Sequence, residues 1–147
     1  MTSAAPDFAN PFPDYLGIVI DDWSEDYVRL ALQVEPHHTN LSGRVHGGLV
    51  TALLEYGAGL CGLYCKVPGN IRYGMTLSIT CNFLAPADGP DLFVTARKSG
   101  GGRTTYFADA EIRGGDEILA AKSSSIHRYR TGNEKLEGVP VSHTDVG

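Results

Sequence analysis

The sequence predicts an α+β fold in which one long buried helix is wrapped by a curved antiparallel sheet. Three observations predict it. Residues 47–64 form a stretch that is apolar on nearly every side at helical spacing. The segments on either side of it alternate apolar and polar residues with period two. The links after residue 83 are short turns rich in Gly, Pro and Asp, which suit antiparallel neighbours.

The elements follow in order. Residues 1–13 are polar and broken by Pro6, Pro11 and Pro13, and read as a flexible tail. They lack the basic start and apolar run of a secretory leader, so a cytoplasmic protein is expected. Residues 14–20 suit a short helix or turn running into a strand. Residues 27–34 alternate, with Val28, Leu30, Leu32 and Val34 facing inward. Pro36 stops that strand, and Asn40, Ser42 and Gly43 make the next segment a loop. The helix over 47–64 contains Gly57, Gly59 and Gly62. Each internal glycine costs roughly 1 kcal/mol relative to alanine. Three of them predict the close approach of another backbone, a strand or a second copy of the helix.

Beyond Pro68 the period changes to two. Met75, Leu77, Ile79, Cys81 and Phe83 form one greasy face, opposite Thr76, Ser78, Thr80 and Asn82. Strands over 92–98, 103–113 and 117–129 complete a four-strand meander. Residues 131–147 read as a second flexible tail. Without repeats or long linkers, residues 1–147 are expected to form a single domain. One helix under one sheet leaves a side of the helix and a sheet edge uncovered, so an oligomer is expected.

Composition excludes several roles. A net charge of −5 argues against nucleic-acid binding. No apolar run is long enough to span a membrane. Three cysteines, Cys61, Cys65 and Cys81, are odd in number and lie in apolar or alternating segments. They read as reduced core thiols, with neither a disulfide framework nor a zinc site. His37 and His38 are adjacent and point apart, so no metal is expected. Residues 40–90 carry few charges and should form the core. Eight of the twelve Lys and Arg residues lie from Arg97 to Lys135, which is where a phosphate-bearing ligand would bind if these bases are more than a solvated face.

Two features could carry chemistry. Glu55 is the only charged residue of the long helix, and a carboxylate is expensive to bury there. It is either a base or nucleophile, or a solubilising residue on a narrow exposed stripe. The run Arg44-Val45-His46-Gly47-Gly48 opens the helix. Amides of a first turn are unpaired and carry partial positive charge, so they can hold a carbonyl oxygen. The plainer reading is a glycine turn into the helix. Gly47 and Glu55 are eight residues apart, about 12 Å at about 1.5 Å per residue. One glutamate cannot reach a carbonyl held at its own helix start. Joint action on one carbonyl requires two chains, with their helices antiparallel across a two-fold axis.

The run Asn40 to Gly48 followed by Glu55, with Asn six residues before the His and the acid nine after it, resembles the hotdog-fold acyl-CoA thioesterases of the phenylacetate-degradation type. The likeness extends through residues 75–87 and 103–129. It implies a hotdog fold and hydrolysis of a small or medium acyl-CoA, aromatic ones included, to free acid and CoA. By the resemblance, Gly47 polarises the thioester carbonyl and Glu55 of the partner subunit attacks it or activates water. Asn40 binds the water or reacting group, His46 positions the loop, and Thr76 stands beside the attacking water. The resemblance places Gly48, Gly102, Arg103, Lys122, Ser123 and Ser124 near substrate and the CoA arm. It implies a homodimer at minimum, a homotetramer as the full assembly, and no cofactor. Two alternatives remain at the level of sequence: a hotdog hydratase or dehydratase, and a non-catalytic acyl-CoA-binding module. His127, in the last strand, reads as a surface residue.

Overall fold

The computed structural model describes residues 10–142. Helix α1 (Pro11–Leu16) precedes strands β1 (Val19–Ser24) and β2 (Tyr27–Gln33). A single 3-10 turn (Pro36–His38) leads to helix α2 (Gly47–Cys61). Strands β3 (Asn70–Ile71), β4 (Gly74–Phe83), β5 (Asp91–Gly101), β6 (Thr105–Gly114), β7 (Leu119–Tyr129) and β8 (Val139–Pro140) follow. Among the described residues no helix is long and apolar enough to cross a membrane.

The main sheet has the order β1-β2-β5-β6-β7-β4, with every neighbouring pair antiparallel. The expected four-strand meander is therefore corrected. Of those four strands only β5, β6 and β7 run as consecutive hairpins. Strand β4 lies at the far edge beside β7, and the link through Pro86 and Pro90 carries the chain back to pair β5 with β2. Period-two patterning reports which face a residue takes but not which strand lies beside it, so this order was not legible.

Helix α2 packs across β2, β5, β6, β7 and β4. Val50, Leu53, Leu54, Ala58 and Cys61 face the sheet and meet Val28, Leu30, Val94, Ala96, Ala108 and Ile112. Each fully buried large aliphatic side chain contributes about 1.5–3 kcal/mol. The helix glycines also face the sheet. A Cβ on Gly57 would lie 3.0 Å from Val94 Cγ1, and one on Gly62 would fall 2.2 Å from the Tyr106 ring. Within this chain Gly57 and Gly62 are therefore met by side chains of the strands and not by a strand backbone. The helix ends at Cys61, three residues before the expected Tyr64. Its final carbonyls are taken by side chains: Trp23 Nε1 donates to Leu60 O at 3.0 Å and the Tyr106 hydroxyl to Gly59 O at 2.6 Å.

Both expected tails are partly ordered. Pro11 to Pro13 open α1, where proline's missing N–H costs nothing, and Gly17 closes it with φ +82°. At the other end, the buried Arg72 guanidinium donates to Asn133 O, Glu134 O and Tyr64 O and stacks 4.6 Å from the Tyr129 ring. Strand β8 pairs with β3. The rest of the two expected tails, residues 1–9 and 143–147, lies outside the described residues.

Strand β4 departs from strict alternation. A bulge between Thr76 and Ser78 gives the strand one extra residue against β7. Thr76 stands opposite His127, Ile79 opposite Ser125 and Cys81 opposite Ser123. Thr76 therefore shares the helix-facing side with Ile79 and Cys81, and Met75 leaves it. Residues 40–90 are not the core as a whole: Met75 and Phe83 are each 58% exposed, and the loop before α2 is open.

Candidate active site

The start of α2 is built from its own sequence. His46 is the N-cap, and its Nδ1 accepts from Gly48 N–H at 2.8 Å. The amides of Leu49 and Val50 donate to His46 O at 3.0 and 3.2 Å. That leaves the Gly47 amide as the first-turn N–H without an acceptor among the described residues. It is exposed and stands beside Phe83. Asn40 braces the approach. Its Oδ1 accepts from Ser42 N–H at 2.9 Å and Arg44 N–H at 3.1 Å, so only its Nδ2 remains to meet a substrate or water. Arg44 pairs with Asp88 and ties this loop to the turn before β5.

Glu55 is half-buried on α2, at the other end of β4 from Phe83. Thr76 Oγ1 donates to Glu55 Oε1 at 2.5 Å and lies 3.1 Å from His127 Nδ1. His127 Nε2 lies 2.7 Å from Ser125 Oγ, and the ring stacks on Tyr106 at 4.9 Å. His127 is 1% exposed, which overturns its reading as a surface residue. Burial pushes its imidazole below the usual range, and the Glu55 carboxylate opposes that shift. A signal was present in the sequence. Lys122, Arg128 and Ile126 alternate with Ser123, Ser125 and His127, and two long cations belong on the solvent face of the strand.

The structure therefore joins Glu55 to Thr76 by a direct hydrogen bond, adds Ser125, His127 and Tyr106, and keeps Gly47, Gly48, Asn40 and His46 together at the helix start. It does not bring the expected CoA contacts into one place. Gly102 and Arg103 line a hollow of about 360 Å³ with Lys98 and Lys135 and the acids Glu25, Asp26 and Glu134, and Lys98 is paired with Asp26. Lys122 and Ser124 lie exposed on the outer face, where Ser124 donates to Asp109. Ser123 is buried on the inner face with its hydroxyl unpartnered among the described residues, so it is no surface contact. A second hollow, about 220 Å³, is lined by Phe12, Leu16, His46, Gly48, Leu49 and Ala52. His38 uses both ring nitrogens on its own chain, accepting from Glu35 N–H and donating to Leu16 O. Of the cysteines, Cys61 is fully buried and its thiol is pushed up to about 12, whereas Cys65 and Cys81 are partly exposed.

Comparison with known proteins gives one family. The thioesterase superfamily profile matches residues 42–121, more than half of the chain. A Pseudomonas aeruginosa protein whose name assigns it provisionally to the esterases is 28% identical over 99 residues, covering 67% of this chain and 72% of its own. The crystal structure of a thioesterase family protein from Silicibacter pomeroyi superposes with a TM-score of 0.73 at 26% identity, covering 82% of this chain and 89% of that one. The PaaI protein of the Escherichia coli phenylacetic acid degradation operon has the same fold, with a TM-score of 0.74 at 20% identity over 84% of this chain and 87% of that one.

Proposed function

The chain belongs to the thioesterase superfamily and has the hotdog fold, and from that premise we propose that it hydrolyses acyl-CoA thioesters at sites each shared by two protomers. The observation that carries this reading is the Gly47 amide, left without an acceptor among the described residues in the first turn of α2, on the same helix as Glu55 but about 12 Å from it. The thioester carbonyl oxygen accepts from Gly47 N–H, and Asn40 Nδ2 offers a second donor. Charge that develops on that oxygen in the transition state meets a fixed dipole at the helix start. Glu55 of the partner subunit takes a proton from water, and the water oxygen bonds to the carbonyl carbon. The carbon–sulfur bond then breaks, and the CoA thiolate leaves and takes up the proton.

The short Thr76 bond tethers one carboxylate oxygen of Glu55, which favours activation of water over direct attack. The acyl group lies in the hollow between α1 and the start of α2, where Phe12, Leu16, Leu49 and Ala52 supply apolar contact. The CoA arm runs toward the hollow lined by Arg103 and Lys98. A homodimer is the smallest active unit, and a homotetramer is the proposed full assembly.

Thiol release measured over a panel of aliphatic and aromatic acyl-CoAs tests the proposal. Wild type should release CoA and free acid from at least one class, and Glu55→Gln should lower kcat by about 100-fold or more with the fold intact. An enoyl product from a 3-hydroxyacyl-CoA would mark a dehydratase instead, and a 3-hydroxyacyl product from an enoyl-CoA a hydratase. Tight binding without turnover, indifferent to Glu55→Gln, would mark a binding module.

A further inference from the structure

We propose that His127 fixes the working pose of Glu55 through Thr76, with the neutral ring donating from Nδ1 so that the single Thr76 proton is committed to the carboxylate. The catalytic consequence rests on the hydrolytic reading above; the proton arrangement rests on the geometry and on the burial that keeps the ring neutral.

Proton counting carries the argument. Thr76 Oγ1 lies 2.5 Å from Glu55 Oε1 and 3.1 Å from His127 Nδ1. A hydroxyl has one proton, and an ionised carboxylate only accepts. The Thr76 proton therefore goes to Glu55, and Nδ1 can meet the same hydroxyl only as a donor. A neutral imidazole has one N–H, so Nε2 is an acceptor and Ser125 Oγ, 2.7 Å away, must donate to it. Ser125 Oγ also lies 3.3 Å from Ala108 O, the longer of its two contacts, and its one proton cannot serve both. The chain of donors then runs one way, from Ser125 through His127 and Thr76 to Glu55.

The ring is held against turning. It is buried, and it stacks within 14° of parallel on Tyr106, whose hydroxyl is anchored to Gly59 O. Glu55 from α2 and Tyr106 from β6 are the titratable groups that face it. Strand β4 contributes the Thr76 hydroxyl, and β7 that of Ser125. With Oε1 engaged, Oε2 is the atom left to meet water. His127 touches neither water nor thioester in this scheme, so it is a positioning residue. Without its donor the Thr76 hydroxyl is free to turn, and the carboxylate loses its set direction.

Two measurements test this. Nitrogen-15 NMR of the histidine rings near neutral pH should find His127 protonated at Nδ1 and bare at Nε2. Thr76→Val should move that proton to Nε2, where Ser125 and Ala108 O can accept the reversed chain. A wild-type ring protonated at Nε2 overturns the proposal whatever the protein hydrolyses. In the activity arm, His127→Asn places an amide donor near the former Nδ1, and His127→Gln places one near Nε2. Gln should lose about 10- to 100-fold in kcat at nearly unchanged KM, and Asn should stay within about threefold of wild type. Equal losses in both would reduce His127 to packing and overturn the positioning role. If wild type releases thiol from no acyl-CoA, the hydrolytic reading fails while the NMR result still decides the proton arrangement.

Discussion

His127 is held neutral by its surroundings, and that has a consequence for stability. Its pKa in the folded chain lies below the ordinary value of about 6.5, with burial as the cause and Glu55 opposing. The unfolded chain therefore binds a proton that the folded chain refuses once pH drops through about 6.5. The stabilisation is complete above that value and is lost as pH falls toward the folded pKa. Melting temperatures taken from about pH 7 down to about pH 5 should fall more steeply for wild type than for His127→Gln; parallel slopes would remove the effect. A second residue tests packing in the same region. Gly62 leaves no space for a Cβ, because the Tyr106 ring is clamped between His127 and Tyr129 and tethered to Gly59 O. Gly62→Ala should cost about 1–3 kcal/mol in urea denaturation, the usual range for overpacking.

At the scale of the element, the bulge in β4 decides which residues reach Glu55. Strict alternation puts Thr76 opposite Met75, Leu77 and Ile79, on the side away from the helix. The extra residue at Leu77 reverses the phase, so that Thr76 and Ile79 share the inner face. Deleting Leu77 should remove the extra residue while Thr76 stays opposite His127 and facing Glu55, so the strand becomes unbroken and thioester turnover survives, with circular dichroism still showing the sheet. Lost turnover with the sheet intact would mean that the bulge itself is needed to set Thr76 against Glu55. This element also marks the limit of what the sequence reveals. The α2 span, the inward set of β2 and the Asn40-to-Glu55 spacing follow from local periodicity and a motif, and they are legible. The bulge is not, because Met75, Leu77, Ile79 and Cys81 keep an unbroken apolar alternation straight through the one extra residue. Nor is the grip of Arg72 on the backbone of residues 133 and 134, a contact across some sixty positions of the chain.

At the scale of the molecule, the unpaired edge of β4 and its exposed Met75, Leu77 and Phe83 form an apolar rim that one chain leaves uncovered. The same chain separates Gly47 from Glu55 along α2, so the proposed reaction needs both protomers. Mixing two variants expected to be inactive tests that proposal. Gly47→Pro removes the open N–H at the first helical position, where proline is tolerated, and His46 before it already has the extended backbone (ψ 133°) that proline demands. Glu55→Gln removes the base. Each homodimer should be inactive. After refolding together, about half of the dimers are mixed, and each mixed dimer has one site built from the intact Gly47 of one chain and the intact Glu55 of the other. The mixture should therefore recover about one quarter of wild-type activity, since half of the dimers carry one of two working sites. A site contained within a single chain cannot be rebuilt this way, and no recovery above either parent would show that Gly47 and Glu55 do not act across the interface.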